Sequence, residues 1–328
     1  MHVLVIGGSN FMGLTLVWRL LLAGHRVTVL NRGRQPDPFA DRVERLRADR
    51  GRDEFDQALA GREFDRVVDL AGFTGPELAR AVRVLGGRVG HYLFVSTGQV
   101  YLVREGCPRP SREVDYDGPV MAAPPRPADH DDWRYGVDKR AAEDVLVAAG
   151  AALPSTRLRL PMVVGERDPK RRFDAYLWRL LDGGPILVAG ADARARHLYR
   201  GAVVDALLAL LAAPPPPGQA FNLAPADDVA VGALVAELAD RVGARAEIRA
   251  VDADAVEAAG LSPRAASPFS TRWMSLLDPG RAMTELGFVH PPRAAVLDRI
   301  VADALARWDA APPPGYDQRA AELRWAGR

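Results

Sequence analysis

Lysine is almost missing from this chain. Of its 43 basic residues only Lys139 and Lys170 are lysine, and arginine stands everywhere else. Cysteine is reduced to Cys107 alone. That excludes an intramolecular disulfide and fits a reducing, cytoplasmic setting. Long hydrophobic runs are absent. The longest, Ala202 to Ala213, contains Asp205 and is too short to span a bilayer. The opening residues show neither the charged segment nor the small-residue cleavage site of a secretory signal, so none is expected. Charge of one sign is lacking too. A net charge of +1 gives no general field for nucleic acid or a membrane surface. The Arg-rich piece 42–52 is interleaved with Glu44 and Asp49 and reads as a solvated mixed face.

What is present turns on Tyr135-Gly-Val-Asp-Lys139. Residues i and i+4 share a helix face, so this spacing puts a phenol beside an ammonium. Seven tyrosines and two lysines in 328 residues would give only about 0.04 such pairs by chance. Arginine does not replace lysine where a compact ammonium is needed. A free phenol titrates near pH ~10, and a fixed positive charge close by is expected to lower that value. The pair then suits general acid/base chemistry on an alcohol or ketone.

The first thirty residues read as a nucleotide-binding unit. His2 to Ile6 is an apolar run suited to a strand buried on both faces. Gly7-Gly-Ser9-Asn10-Phe11-Met12-Gly13 follows, then a helix over Leu14 to Ala23 and a second strand over His25 to Leu30. Strand, Gly-rich turn, helix, strand is the first unit of a dinucleotide-binding fold, with pyrophosphate at the helix N-terminus. Asn10 stands where the spacing calls for glycine. Asparagine tolerates left-handed backbone, so the turn survives, and its amide could reach phosphate or ribose. After the second strand, Asn31-Arg32-Gly-Arg34 carries two guanidiniums and no carboxylate. That favours a 2′-phosphate, hence NADP(H), over NAD(H), the alternative being two solvated loop arginines.

Further strands are expected over Arg42–Leu46, Arg66–Leu70, Tyr92–Ser96 and Thr156–Leu160, with helices over Pro76–Leu85 and up to Ala149. Asp49 could face the adenine amino group or be a plain loop acid. Leu70, Ala71 and Gly72 lie where a cofactor would cross the sheet edge. Thr97 ends a central strand and points a hydroxyl into the crevice or caps a turn. Residues 102–134 form a long Pro- and Arg-rich stretch, read as a substrate loop. Asp129-His-Asp-Asp132 reads as helix-start acids favoured by the dipole rather than a metal site; no metal is expected. Beyond Gly165 the alternation loosens. Helices are expected over Phe173–Leu181, Ala202–Ala213, Val231–Val242, Arg281–Leu286 and Ala294–Trp308, and short strands over Ile186–Ala189, Ala220–Leu223 and Glu247–Val251. A charged tail follows Pro312–Pro314. The whole predicts an α/β protein: a doubly wound parallel sheet over residues 1–165, and a smaller α/β lobe over 166–328 with some segments returning to the core.

The Gly-rich turn, Ser96-Thr97-Gly-Gln99-Val-Tyr101, Tyr135-x-x-x-Lys139 and Leu158-Arg-Leu-Pro161-Met162-Val-Val-Gly165 together resemble an extended short-chain dehydrogenase/reductase of the NAD(P)-dependent epimerase/dehydratase kind, with a Rossmann fold. The resemblance implies Thr97, Tyr135 and Lys139 as catalytic residues, with Tyr135 the acid/base and Lys139 also holding the nicotinamide ribose. It implies cofactor contacts from the turn and from Pro161, and hydride transfer at a secondary alcohol or ketone of a sugar, nucleotide-sugar or sugar-like metabolite. Gln99, Met162 and Arg196 are the substrate-side candidates, with Arg194 and Arg200 as alternatives for the arginine that binds a diphosphate. Gly98-Gln99 replaces the Asp-Glu pair of sugar dehydratases, and Met162 replaces an asparagine and offers no amide. Homodimerisation through the Pro76 and Tyr135 helices is also implied. The turn resembles an atypical branch that includes stem-loop RNA-binding proteins. A non-catalytic nucleotide-sensing or RNA-binding scaffold is therefore the alternative, opposed by the near-zero net charge.

Overall fold

In the computed structural model, which describes residues 1–36, 38–308 and 311–327, the chain divides into two compact units. The first comprises Met1–Pro161, Arg200–Ala224 and Leu277–Val289. The second comprises Met162–Tyr199, Pro225–Leu276 and His290–Arg328.

The first unit is built on one parallel sheet. Its strands are β1 (His2–Ile6), β2 (Arg26–Asn31), β3 (Glu44–Arg47), β4 (Phe64–Asp69), β5 (Val89–Thr97) and β6 (Ser155–Leu160), with Ala220–Asn222 as a seventh. The spatial order is Ala220–Asn222, β6, β5, β4, β1, β2, β3. Register is continuous across the centre: Ile6 pairs with Leu30 on one side and Asp69 on the other. Chain direction across the sheet reverses between β1 and β4, and the crevice at the carboxyl ends there is where such sheets bind ligands. The expected doubly wound parallel sheet is therefore present.

Helices α1 (Phe11–Leu22), α2 (Asp53–Leu59), α3 (Gly75–Leu85), the single turn α4 (Gln99–Leu102) and α5 (His130–Ala149) belong to this unit. Leu4, Ile6, Phe55, Val67, Leu78, Leu85, Phe94 and Leu146 pack into one core between the sheet and α2, α3 and α5. Helix α1 begins three residues before the apolar pattern predicts, because Asn10 caps it: the side-chain oxygen accepts from the Phe11 N–H at 2.8 Å. Asn10 itself is extended, with φ −143°, and Phe11 takes the positive φ, 42°. The expectation of a left-handed Asn10 is thus corrected by one residue. Helix α5 likewise starts five residues before Tyr135, with Asp131 and Asp132 in its first turn. Among the described residues no cluster of His, Cys, Asp and Glu could hold a metal ion. Helix α2 begins just after the stretch 42–52 read as a solvated face; its acidic first turn and buried Phe55 and Leu59 mark it as a helix.

The second unit has its own core. Phe173, Tyr176, Leu177, Leu234, Leu238, Leu297 and Val301 bring together the helices Arg172–Leu181, Val231–Val242 and Arg293–Ala306. Its strands pair two by two: Met162–Val164 with His197–Tyr199, Ile186–Ala189 with Ile248–Val251, and Arg194–Ala195 with Val229–Ala230. The charged tail is not loose. It forms the helix Arg319–Ala326, whose Glu322 is fully buried against Arg179 at 2.6 Å. The sequence offers no apolar stripe there, so a buried ion pair was invisible to periodicity. No helix among the described residues is long and apolar enough to cross a membrane.

Candidate active site

The crevice of the first unit opens where β1, β2 and β4 end. A cleft of about 280 Å³ lies there. Eight of the expected cofactor residues line it: Gly7, Ser9, Asn10, Asn31, Arg32, Arg34, Asp49 and Ala71. Gly13, Leu70 and Gly72 are packed against that wall rather than on it, and Phe11 and Met12 start α1 beside it. Gly7 has φ 91°, and a Cβ on Gly13 would sit 2.6 Å from the Gly7 carbonyl oxygen. The turn is therefore folded tightly on itself, as close approach of backbone to a phosphate requires. The N-terminus of α1, a site suited to an anion, faces the same turn. These features fit a bound dinucleotide.

Asn31 is committed elsewhere. Its amide donates to Ser9 Oγ at 2.6 Å, while its Oδ1 accepts from the Gly33 N–H at 2.8 Å and from Arg47. It braces the two loops of the cleft rather than offering a free group. Arg32 and Arg34 are exposed on the wall, and no hydrogen bond or ion pair to them occurs among the described residues. Asp49 accepts from the Gly51 N–H at 3.0 Å and keeps its place on the wall.

Sequence reasoning gave Arg50 no role. Its guanidinium is buried on the cleft wall, with Nη1 2.8 and 2.9 Å from the two oxygens of Asp69. Asp69 is wholly buried, and it also accepts from the Tyr92 hydroxyl at 2.5 Å and the Ala71 N–H at 3.0 Å. Despite burial, which alone would raise it, the Asp69 carboxyl is held below its usual range by Arg50. Phe73 and Glu77, which also line the cleft, were equally unforeseen. An Arg after an Asp, or a Phe after a Gly, carries no pattern that periodicity could detect.

The Tyr135 helix packs against α3 and delivers its side chains to the end of β5. Gly136 allows this: a Cβ there would lie 2.8 Å from the Gln99 carbonyl oxygen. Thr97 ends β5, with its hydroxyl beside the Tyr135 phenol. Burial pushes the phenol above its ordinary value, and Thr97 acts the other way. Lys139 is 3% exposed, and burial depresses its ammonium to about 8. Its Nζ donates to the Val95 carbonyl at 2.8 Å and lies over the rings of Phe94 and Phe73, 4.6 and 5.2 Å from their centroids. The expectation that Lys139 lowers the Tyr135 pKa is corrected. Desolvation dominates at both groups, and Thr97, not Lys139, is the side chain that favours the phenolate.

Gln99 is buried, donates weakly to Asp132 at 3.3 Å and leaves its Oε1 without a partner. Pro161 ends the first segment of the first unit, just after β6. Met162 and Arg196 belong to the second unit. The Met162 sulfur accepts from Arg172, a contact the sequence did not suggest. Arg194 is exposed and paired with Asp228 at 2.5 Å, as a surface charge would be. Arg200 lies in the first unit, its guanidinium 5.6 Å from the centre of the Phe11 ring.

Comparison with known proteins is consistent with this geometry. The family model described as "NAD dependent epimerase/dehydratase family" matches residues 3–85 and 77–224. A 2'-dehydrokanamycin reductase of Streptomyces kanamyceticus is 31% identical over 152 residues, 46% of this chain and 39% of that protein. A chloroplast stem-loop binding protein of Arabidopsis thaliana is 30% identical over 120 residues, 32% of each chain. This chain thus spans well under half the length of either curated relative. Among solved structures, a UDP-glucose 4-epimerase of Thermotoga maritima with UDP-glucose superposes with a TM-score of 0.71 at 19% identity, covering 94% of this chain and all of that one. The Bordetella bronchiseptica enzyme WbmH in complex with NAD+ gives 0.69 at 20% identity, covering 93% and 99%. These likenesses are to the fold.

Proposed function

This chain belongs to the NAD dependent epimerase/dehydratase family, and within it we propose an oxidoreductase that uses a nicotinamide cofactor, with NADP(H) preferred, at a secondary alcohol or ketone of a sugar or sugar-like small molecule. The observation that carries the reading is the Thr97 hydroxyl beside the Tyr135 phenol at the end of β5, at the carboxyl ends of the same parallel sheet as the Gly-rich turn.

Gly7, Ser9, Asn10 and the N-terminus of α1 would hold the pyrophosphate, and Asp49 the adenine side. Arg32 and Arg34, exposed and without ion-pair partners among the described residues, suit a 2′-phosphate. When bound, the cofactor supplies or accepts a hydride. Thr97 orients the substrate oxygen by a hydrogen bond. Tyr135 exchanges the proton on that oxygen, and its raised pKa keeps the phenol protonated and ready to donate at neutral pH. This direction of transfer, proton to oxygen, is the one a ketone reduction needs. Lys139 supplies a buried positive charge one turn along the helix. We further propose a homodimer formed through α3 and α5.

The test is consumption of NADPH by the purified protein across a panel of keto-sugars and amino-sugar ketones. Turnover on a member of the panel supports the reading. No turnover, by a protein that binds the cofactor tightly, argues against a reductase.

A further inference from the structure

Phe73 is a large apolar side chain left 46% exposed. It lines the nucleotide cleft, and its ring centroid is 6.2 Å from that of Tyr135 and 5.2 Å from the Lys139 ammonium. It therefore joins the wall of the cleft to the phenol–ammonium pair at the end of β5.

The placement is fixed by the chain on both sides of it. Before it, Gly72 lets the loop lie directly on the sheet edge; a Cβ there would stand 2.7 Å from Asp69 Oδ2 and 2.8 Å from the Phe94 ring. After it, Thr74 and Glu77 form a capping box on α3. Glu77 Oε2 accepts from the N–H groups of Phe73 and Thr74 at 2.8 and 3.1 Å. The backbone is thus held from two directions, while the ring faces outward.

We propose that Phe73 is a cofactor-contacting residue, its ring being the surface over which the nicotinamide half of the dinucleotide lies between the cleft and Tyr135. This rests on the cofactor reading above. A molecule anchored at the Gly-rich turn and reacting beside Tyr135 would pass Phe73, because that ring lines the cleft and packs against the Tyr135 ring. An aromatic face suits a nicotinamide, which is itself a flat π-system and a cation when oxidised. The same ring covers Lys139 and keeps water from its ammonium, so binding and the charge of the acid/base pair depend on one side chain.

The experiment is calorimetric titration of wild type, Phe73→Ala and Phe73→Tyr with NADPH, and with 2′,5′-ADP, which lacks the nicotinamide half. The expected result is that Phe73→Ala weakens NADPH by about three- to tenfold, the worth of one aromatic contact. Its 2′,5′-ADP affinity stays at the wild-type value, and Phe73→Tyr restores NADPH binding. Equal weakening of both ligands would mean a disturbed cleft and overturn the assignment, as would unchanged NADPH binding in Phe73→Ala. Wild type that binds neither ligand would overturn the cofactor reading itself, an outcome distinct from either of these. Because the ring is half exposed, the variants are expected to fold, and matching thermal melts confirm it.

Discussion

The Lys139 ammonium is hydrogen-bonded to the Val95 carbonyl oxygen, 2.8 Å away, not to the Tyr135 phenol it was expected to activate. Burial lowers its pKa from 10.5 to about 8. The unfolded chain therefore holds the extra proton between those values, and the Lys139 contribution to stability rises with pH across pH 8 to 10.5. Below pH 8 the buried charge costs about 3 kcal/mol. Relative to Lys139→Met, wild type should gain stability over that window. Chemical denaturation of both proteins at several pH values measures it. A difference that is flat with pH would show that Lys139 is not desolvated as described.

Tyr135→Phe keeps the ring and removes the hydroxyl proposed to exchange the proton. Turnover on any substrate found should fall by about 10²–10⁴-fold, while the dissociation constant for the cofactor changes little. Steady-state kinetics and a binding titration on one preparation separate the two. Full activity in the variant would remove Tyr135 from the mechanism.

How much of this was legible in the sequence depends on what kind of signal each feature leaves. β1, the Gly-rich turn and α1 are local: an apolar run, glycines and an apolar helical stretch lie within two dozen residues, and each is placed to within a few positions. Tyr135 and Lys139 were found because lysine is so scarce here. What escaped is non-local or not periodic. Arg50 with Asp69, and Arg179 with Glu322, join residues 19 and 143 positions apart. Charged residues in the sequence look solvated until a partner is seen. The depressed Lys139 pKa is of the same kind: the i, i+4 spacing puts two groups on one face, but burial decides which of charge and desolvation wins.

Gly13→Ala would press a Cβ against the Gly7 carbonyl oxygen at 2.6 Å. Backbone cannot rotate away as a side chain can, so the turn must open. A loss of about 1–3 kcal/mol is expected, together with loss of dinucleotide binding. Thermal melts with and without NADPH report both. Preserved stabilisation by NADPH would place the cofactor elsewhere.

Removing Arg159 would leave Glu143 buried without its closest charged partner, now 2.6 Å away. Both side chains are almost wholly enclosed. Arg159→Met should destabilise the protein by about 3–5 kcal/mol. Acid should narrow the gap: arginine holds the Glu143 carboxyl below its usual value, so the wild-type advantage is full above that value and is lost as pH falls through the depressed one. Denaturation at neutral and acidic pH tests the magnitude and the sign.

The central claim is that the crevice at the ends of β1, β2 and β4 holds a nicotinamide dinucleotide, with Arg32 and Arg34 selecting its 2′-phosphate. The most direct test is to analyse freshly purified protein for released nucleotide by mass spectrometry, then titrate the nucleotide-free protein with NADPH and NADH. Saturable binding at one dinucleotide per chain, tighter for NADPH and reduced to the NADH level in the Arg32→Gln, Arg34→Gln double variant, is the predicted result. Stoichiometric NAD released from the fresh protein would contradict the preference for NADPH, and failure to bind either dinucleotide would contradict the claim as a whole.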